Sequence, residues 1–96
     1  RAIVVEGQTD VVWLHENGYN ETLGLFGANL TDNQLKLLNK LGIMNLVILM
    51  DGDEAGREAS ERIRTKTQDY FNTRVISLRE GEDPDDLDKH ELDSIL

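Results

Sequence analysis

The chain has 96 residues, enough for one small domain with a single sheet and a few helices and too few for a second. It contains no cysteine, which excludes disulfide staples and cysteine-ligated zinc, and its apolar runs are too short to span a membrane. A formal net charge of -9 excludes a surface that grips nucleic-acid phosphates unaided, so any such contact needs metal ions or a basic neighbour.

Ala2-Ile3-Val4-Val5 reads as a buried strand, because β-branched residues follow one another without polar alternation. It runs into Glu6-Gly7-Gln8-Thr9-Asp10. Thr9 is placed to cap a helix that turns Val11, Val12, Leu14 and Trp13 inward and stops at Gly18. Thr22 to Phe26 reads as a second strand, with Trp13 and Phe26 assigned to the core in preference to base stacking. Gly27-Ala28-Asn29 then forms a turn. Thr31-Asp32-Asn33-Gln34 is a capping box, Leu30 and Leu35 are placed as its hydrophobic staple, and the helix carries Leu35, Leu38 and Leu41 on one face up to Gly42.

Leu46 to Met50 is the most apolar strand and the expected centre of the sheet. It too runs into acid and glycine, as Asp51-Gly52-Asp53-Glu54-Ala55-Gly56. Asp53 caps a long helix in which Ala55, Ala59, Ile63 and Tyr70 recur and Glu58 pairs with Arg62 across one turn; Arg57 and Arg79 are candidates to touch phosphates, with a pair to Glu61 as the simpler account of Arg57. Thr73 to Leu78 reads as the fourth strand. A loop through Gly81 and Pro84 and a short helix from Asp85 to His90 follow. Eight Asp and Glu against the single Lys89 between Glu80 and Asp93 make the part beyond Asp86 a solvated acidic tail.

Strands alternating with helices give a parallel sheet with right-handed crossovers. The two acidic strand ends share a site only if the first and third strands are neighbours. The order is then 2-1-3-4, with the site at the topological switch point.

Glu6, Asp51 and Asp53 are hard oxygen ligands whose crowding without a cation costs several kcal/mol in repulsion and desolvation, so magnesium is the natural remedy. Bland readings stand beside this one: Glu6 as a carboxylate at a helix amino end, Asp10 as a partner of the helix dipole, Asp53 as a cap alone. Gly52 lets Asp51 and Asp53 turn toward one cation. Gly56, at about 1 kcal/mol relative to Ala in a helix, points to close packing or to a phosphate at the helix amino end. Asp83 and Asp85 flank Pro84, which stiffens their loop.

In order and spacing, Glu6-Gly7-x-x-Asp10, Asp51-x-Asp53-x-Ala55-Gly56-x-x-Ala59 and Gly81-Glu82-Asp83-Pro84-Asp85-Asp86 resemble the TOPRIM domain of DnaG-type primases of bacteria and their phages. The resemblance covers nearly the whole chain. It implies an α/β, Rossmann-like TOPRIM fold over residues 1–96, as a piece of a larger primase with basic, zinc-binding and helicase-interaction domains; the start at Arg1, one residue before the first strand, fits an excised domain. It implies a nucleotidyltransferase that copies a single-stranded DNA template into an RNA primer during replication, weak or inactive in isolation. Glu6, Asp51 and Asp53 would be catalytic, and Glu6, Asp10, Asp51, Asp53, Asp83 and Asp85 would hold two or more magnesium or manganese ions. One ion would activate the primer hydroxyl and another would clamp the triphosphate.

The implied partners are single-stranded DNA and nucleoside triphosphates, gripped by the basic domain, and a replicative helicase in the primosome. The implied setting is cytoplasmic, at the nucleoid or a phage replication complex, with no membrane. The loop after the second strand binds substrate in the family, so Gly27 and Asn29 are candidates, with turn chemistry as the simpler account of Asn29. Two other readings remain: a free-standing TOPRIM nuclease acting on RNA or DNA, and a catalytically silent acidic interaction module. Topoisomerases and recombination mediators share the fold, but the Gly81 to Asp86 motif favours primase.

Overall fold

The computed structural model describes residues 1–27 and 29–96, and the expected turn at Gly27-Ala28-Asn29 lies partly outside them, at Ala28. The chain runs β1 (Ala2–Val5), α1 (Gln8–Glu16), β2 (Thr22–Gly24), α2 (Asp32–Lys40), β3 (Asn45–Ile48), α3 (Glu54–Thr67), β4 (Asn72–Val75), one turn of 3-10 helix (Pro84–Asp86) and α4 (Lys89–Ile95). All strand pairings are parallel and the order is β2-β1-β3-β4, as the two acidic strand ends require. Ile3 sits opposite Val47 and Val4 opposite Ile48, so β1 and β3 finish side by side.

The uninterrupted apolar runs are explained by a sheet that is covered on both faces. Ala2, Val4, Leu46, Ile48 and Met50 pack on one face with Leu30, Leu38 and Ile63. Ile3, Val5, Val47 and Leu49 pack on the other with Leu14, Leu87 and Leu92. β3 begins and ends earlier than Leu46 to Met50, but Leu49 still donates to the Val4 carbonyl at 2.9 Å, and Leu49 and Met50 stay buried. β4 likewise stops at Val75, short of Leu78, with Ile76 bonded to the Ile48 carbonyl at 2.9 Å. Among the described residues no helix is long and apolar enough to cross a membrane.

Helical geometry corrects several facing assignments. The amino cap of α1 is Gly7 and not Thr9, because the first helical bond runs from Val11 N–H to the Gly7 carbonyl at 3.2 Å. Asp10 and Leu14 define its buried face; Val12 lies about 200° round from Asp10 and is exposed. In α2 the capping box forms as expected, Gln34 N–H donating to Thr31 Oγ1 at 3.2 Å and Thr31 N–H to Gln34 Oε1 at 2.8 Å, and Leu38 is buried. Leu41 is exposed, since two steps of three residues drift about 120° from Leu35. The buried stripe of α3 is Gly56, Ala59, Ser60, Ile63 and Thr67; Ala55 points away from it, and Tyr70 lies beyond the helix and is exposed. Arg57 pairs with Glu80 at 2.7 Å and not with Glu61, whose partner is Arg64 at 2.6 Å.

The largest correction concerns the carboxyl-terminal acids. Residues 85–90 do not form one helix and the segment is not a solvated tail. Asp88 caps α4, accepting from Glu91 N–H at 2.8 Å while Glu91 Oε1 accepts from Asp88 N–H at 3.2 Å. Leu92 is fully buried beside Leu87. The Trp13 indole N–H donates to the Leu87 carbonyl at 2.7 Å, the Tyr19 hydroxyl to Asp93, and Arg74 to the Ile95 carbonyl at 3.1 Å. The acids decorate a helix whose apolar side closes the sheet.

Candidate functional site

The β1 end delivers Glu6, the first turn of α1 delivers Asp10, and the β3 end delivers Asp51. With Asp83, these line one cleft of about 500 Å³. Asp10 is only 5% exposed, so its place in the first helical turn and its place in the cleft coincide. Burial comes first in raising the proton affinity of Glu6 to about 7, followed by the hydrogen bond and charge of neighbouring Asp51 and then the charges of Asp53 and Asp10. Asp10 is raised to about 6 by burial and by the charges of Asp51, Asp85 and Asp83, against a hydrogen bond from the Gly7 backbone. Burial first, and then the charges of Asp51, Asp85, Asp86 and Asp53, push Asp83 upward.

Two glycines hold this arrangement through close backbone approach. A Cβ on Gly56 would sit 2.0 Å from the Asp51 carbonyl oxygen, so α3 lies directly against the β3 end. A Cβ on Gly52 would sit 1.9 Å from the Arg79 carbonyl oxygen. There the Gly52 N–H donates to the Glu82 carbonyl at 2.8 Å and the Gly81 N–H to the Gly52 carbonyl at 2.7 Å. The second contact pins the loop that carries Asp83 and Asp85 to the acidic end of β3.

Asp53 does cap α3, accepting from Gly56 N–H at 2.6 Å, and it does not line the cleft, although its charge bears on Glu6 and Asp83. Asp85 stands with Asp83 and Asp86, the three offering carboxylate oxygens within 4.8 Å of one another. Asp86 is a member that the sequence reading passed over, although the Asp-x-x-Asp spacing across Pro84 signals it: Asp86 Oδ2 accepts from the Asp83 N–H at 2.8 Å. Arg62 and Phe26 also line the cleft, where the sequence assigns Arg62 to a pair with Glu58 and Phe26 to the core. Asn29 Oδ1 lies 3.4 Å from Arg62 Nε, on the geometry of a weak hydrogen bond.

Among the described residues Asp51 Oδ1 is buried without a hydrogen-bond partner. Buried polar atoms are almost always paired, and a carboxylate oxygen left over among other carboxylates fits a hard divalent cation.

A Toprim-like family profile matches residues 3–88. The chain is 36% identical over 86 residues to the DNA primase of Chlamydia pneumoniae, covering 88% of this chain and 15% of that protein. It superposes with a TM-score of 0.83 on the Aquifex aeolicus primase, solved as its zinc-binding and RNA polymerase domains, at 35% identity over 98% of this chain and 24% of that one. A DnaG primase catalytic domain bound to single-stranded DNA gives a TM-score of 0.82 at 32% identity, over 98% of this chain and 32% of that one. The chain thus spans about 15% of the length of the curated relatives it matches. Fold, motif order and profile agree: the chain belongs to the Toprim-like family, as a domain of the kind that DnaG-type DNA primases carry.

Proposed function

We propose that residues 1–96 are the catalytic TOPRIM core of a longer DNA primase, which joins ribonucleotides into a primer on single-stranded DNA. The observation that carries this reading is the unpartnered, buried Asp51 Oδ1 in a cleft shared with Glu6, Asp10 and Asp83. Glu6, Asp10, Asp51 and Asp83 would hold divalent ions there, with Asp53, Asp85 and Asp86 extending the acidic set. Magnesium or manganese so bound supplies charge neutralisation, lowers the proton affinity of a hydroxyl and polarises phosphate oxygens. Glu6 would act either as one of these ligands or as the base that accepts a proton from an attacking hydroxyl. In the metal-free cleft burial first, and then Asp51, raise Glu6, and Asp53 fixes the start of α3 behind it.

The named relatives support primase over a free-standing nuclease, and the single-stranded DNA in the DnaG complex supports a DNA template. With a net charge of -9, the chain leaves template grip to basic segments of the longer enzyme, where helicase contact also belongs. Replication in the cell interior is the setting this implies. The test is to exchange the matching segment of the Chlamydia pneumoniae primase for this chain and assay primer synthesis. Synthesis that disappears with Glu6→Gln or Asp51→Asn supports the reading. Metal-dependent cleavage of single-stranded nucleic acid without primer synthesis would replace it with the nuclease.

A further inference from the structure

Phe26 is 70% exposed, which overturns its assignment to the core. Its φ is +50°, in the left-handed region, and among the described residues it is the only non-glycine there. A bulky side chain occupies that region when its surroundings impose it, and such positions cluster at ligand clamps. Phe26 N–H donates to the Glu6 carbonyl at 2.9 Å and Leu25 N–H to the Val5 carbonyl at 3.0 Å, so the segment is fastened to the end of β1. The ring is backed by Gly24: a Cβ there would come within 3.1 Å of Phe26 Cζ and 3.2 Å of Cε2, and within 2.9 Å of Val11 Cγ2. The result is a supported aromatic ring, open to solvent, in the same cleft as Glu6, Asp51 and Asp83.

We propose that Phe26 is a platform on which a nucleobase stacks while the phosphates of the same nucleotide reach the acidic cleft. A ligand suited to both features needs a flat apolar face for the ring and an anionic part that shares cations with the carboxylates. A nucleotide combines the two. Phe26 offers a π-face and no hydrogen-bonding group, so the platform is indifferent to base identity. The proposal rests on reading the cleft as a cation-dependent nucleotide site.

Titration calorimetry of the 96-residue chain in manganese tests it, with ATP compared against tripolyphosphate and an oligothymidylate against an abasic strand of equal length. Phe26→Ala is expected to weaken ATP or oligothymidylate roughly five- to hundredfold while leaving tripolyphosphate and the abasic strand unchanged, and Phe26→Trp to preserve binding. A loss confined to ATP assigns the ring to the incoming nucleotide, and one confined to oligothymidylate assigns it to the strand. Unchanged affinity for both base-bearing ligands in Phe26→Ala overturns the platform, as does an equal loss on ATP and tripolyphosphate. A wild-type chain that binds neither ATP nor tripolyphosphate overturns the cation-site reading itself, and the platform with it.

Discussion

The raised proton affinity of Glu6 makes stability of the metal-free protein depend on pH with a definite sign. Between about 4.5 and about 7 the folded chain holds a proton that the unfolded chain has released. That contribution is complete below 4.5 and is lost as pH rises through 7, and Asp10 acts in the same direction between 3.8 and about 6. In chelator the melting temperature should therefore fall from pH 5 to pH 7.5, and Glu6→Gln should flatten the slope. The Glu6 share is on the order of 1 kcal/mol once screening of a partly exposed group is discounted. A melting temperature that climbs over this range contradicts the burial and crowding invoked here. Asp51→Asn tests the same crowding: in chelator it should leave stability unchanged or raise it by ~1 kcal/mol. With manganese at one hundred times its dissociation constant, wild type should gain about 2.7 kcal/mol and overtake. A variant markedly less stable in chelator would make Asp51 a structural carboxylate. Glu6 and Asp51 were legible in sequence because each follows an apolar strand that has no other reason to end in charge, and Asp10 because it stands one helical turn beyond Glu6. Phe26 was not, because an aromatic after Leu25 reads as buried unless one knows that β2 stops at Gly24 and the backbone then turns left-handed.

At the scale of elements, the strands and the Thr31 capping box were legible because they rest on local chemistry: β-branched runs, Thr31 with Gln34, the glycines after α1 and α2. Helix faces were less so, since a spacing of three or four drifts round the helix and Leu41, Ala55 and Val12 fall off the buried stripe. The fate of α4 could not be read from charge. Its burial rests on Leu87 and Leu92, two leucines that a run of acids masks. Leu92→Ala should accordingly cost about 2–5 kcal/mol in denaturant unfolding, whereas a solvated tail would register almost nothing. Gly56 offers a contest of magnitudes. Alanine gains about 1 kcal/mol of helix propensity, but its Cβ would lie 2.0 Å from a backbone oxygen of Asp51 that has nowhere to go. Gly56→Ala should therefore destabilise by roughly 1–3 kcal/mol or more, measured by the same unfolding curves, and a stabilised variant would mean that α3 does not rest on the β3 end.

At the scale of the whole molecule acids outnumber bases and several of them meet in the cleft, so the metal-free chain should repel phosphates. Its affinity for single-stranded DNA at physiological salt without divalent ions should be negligible, because 10 Lys and Arg face 19 Asp and Glu. Tight, metal-independent binding in a fluorescence anisotropy assay would refute that account of the charge. The topology itself was legible, since two acidic strand ends that share a site dictate the order β2-β1-β3-β4. The docking of the Arg79 to Glu82 turn onto Gly52 was not, because it is a long-range backbone contact with no sequence pattern of its own. The most direct measurement is calorimetric titration of manganese into the metal-stripped chain and into Asp51→Asn. The cleft described here predicts binding to the wild type and at least about tenfold weaker binding to Asp51→Asn, whose lost charge removes a principal ligand. Equal affinity for the two proteins would contradict a metal site built on Asp51.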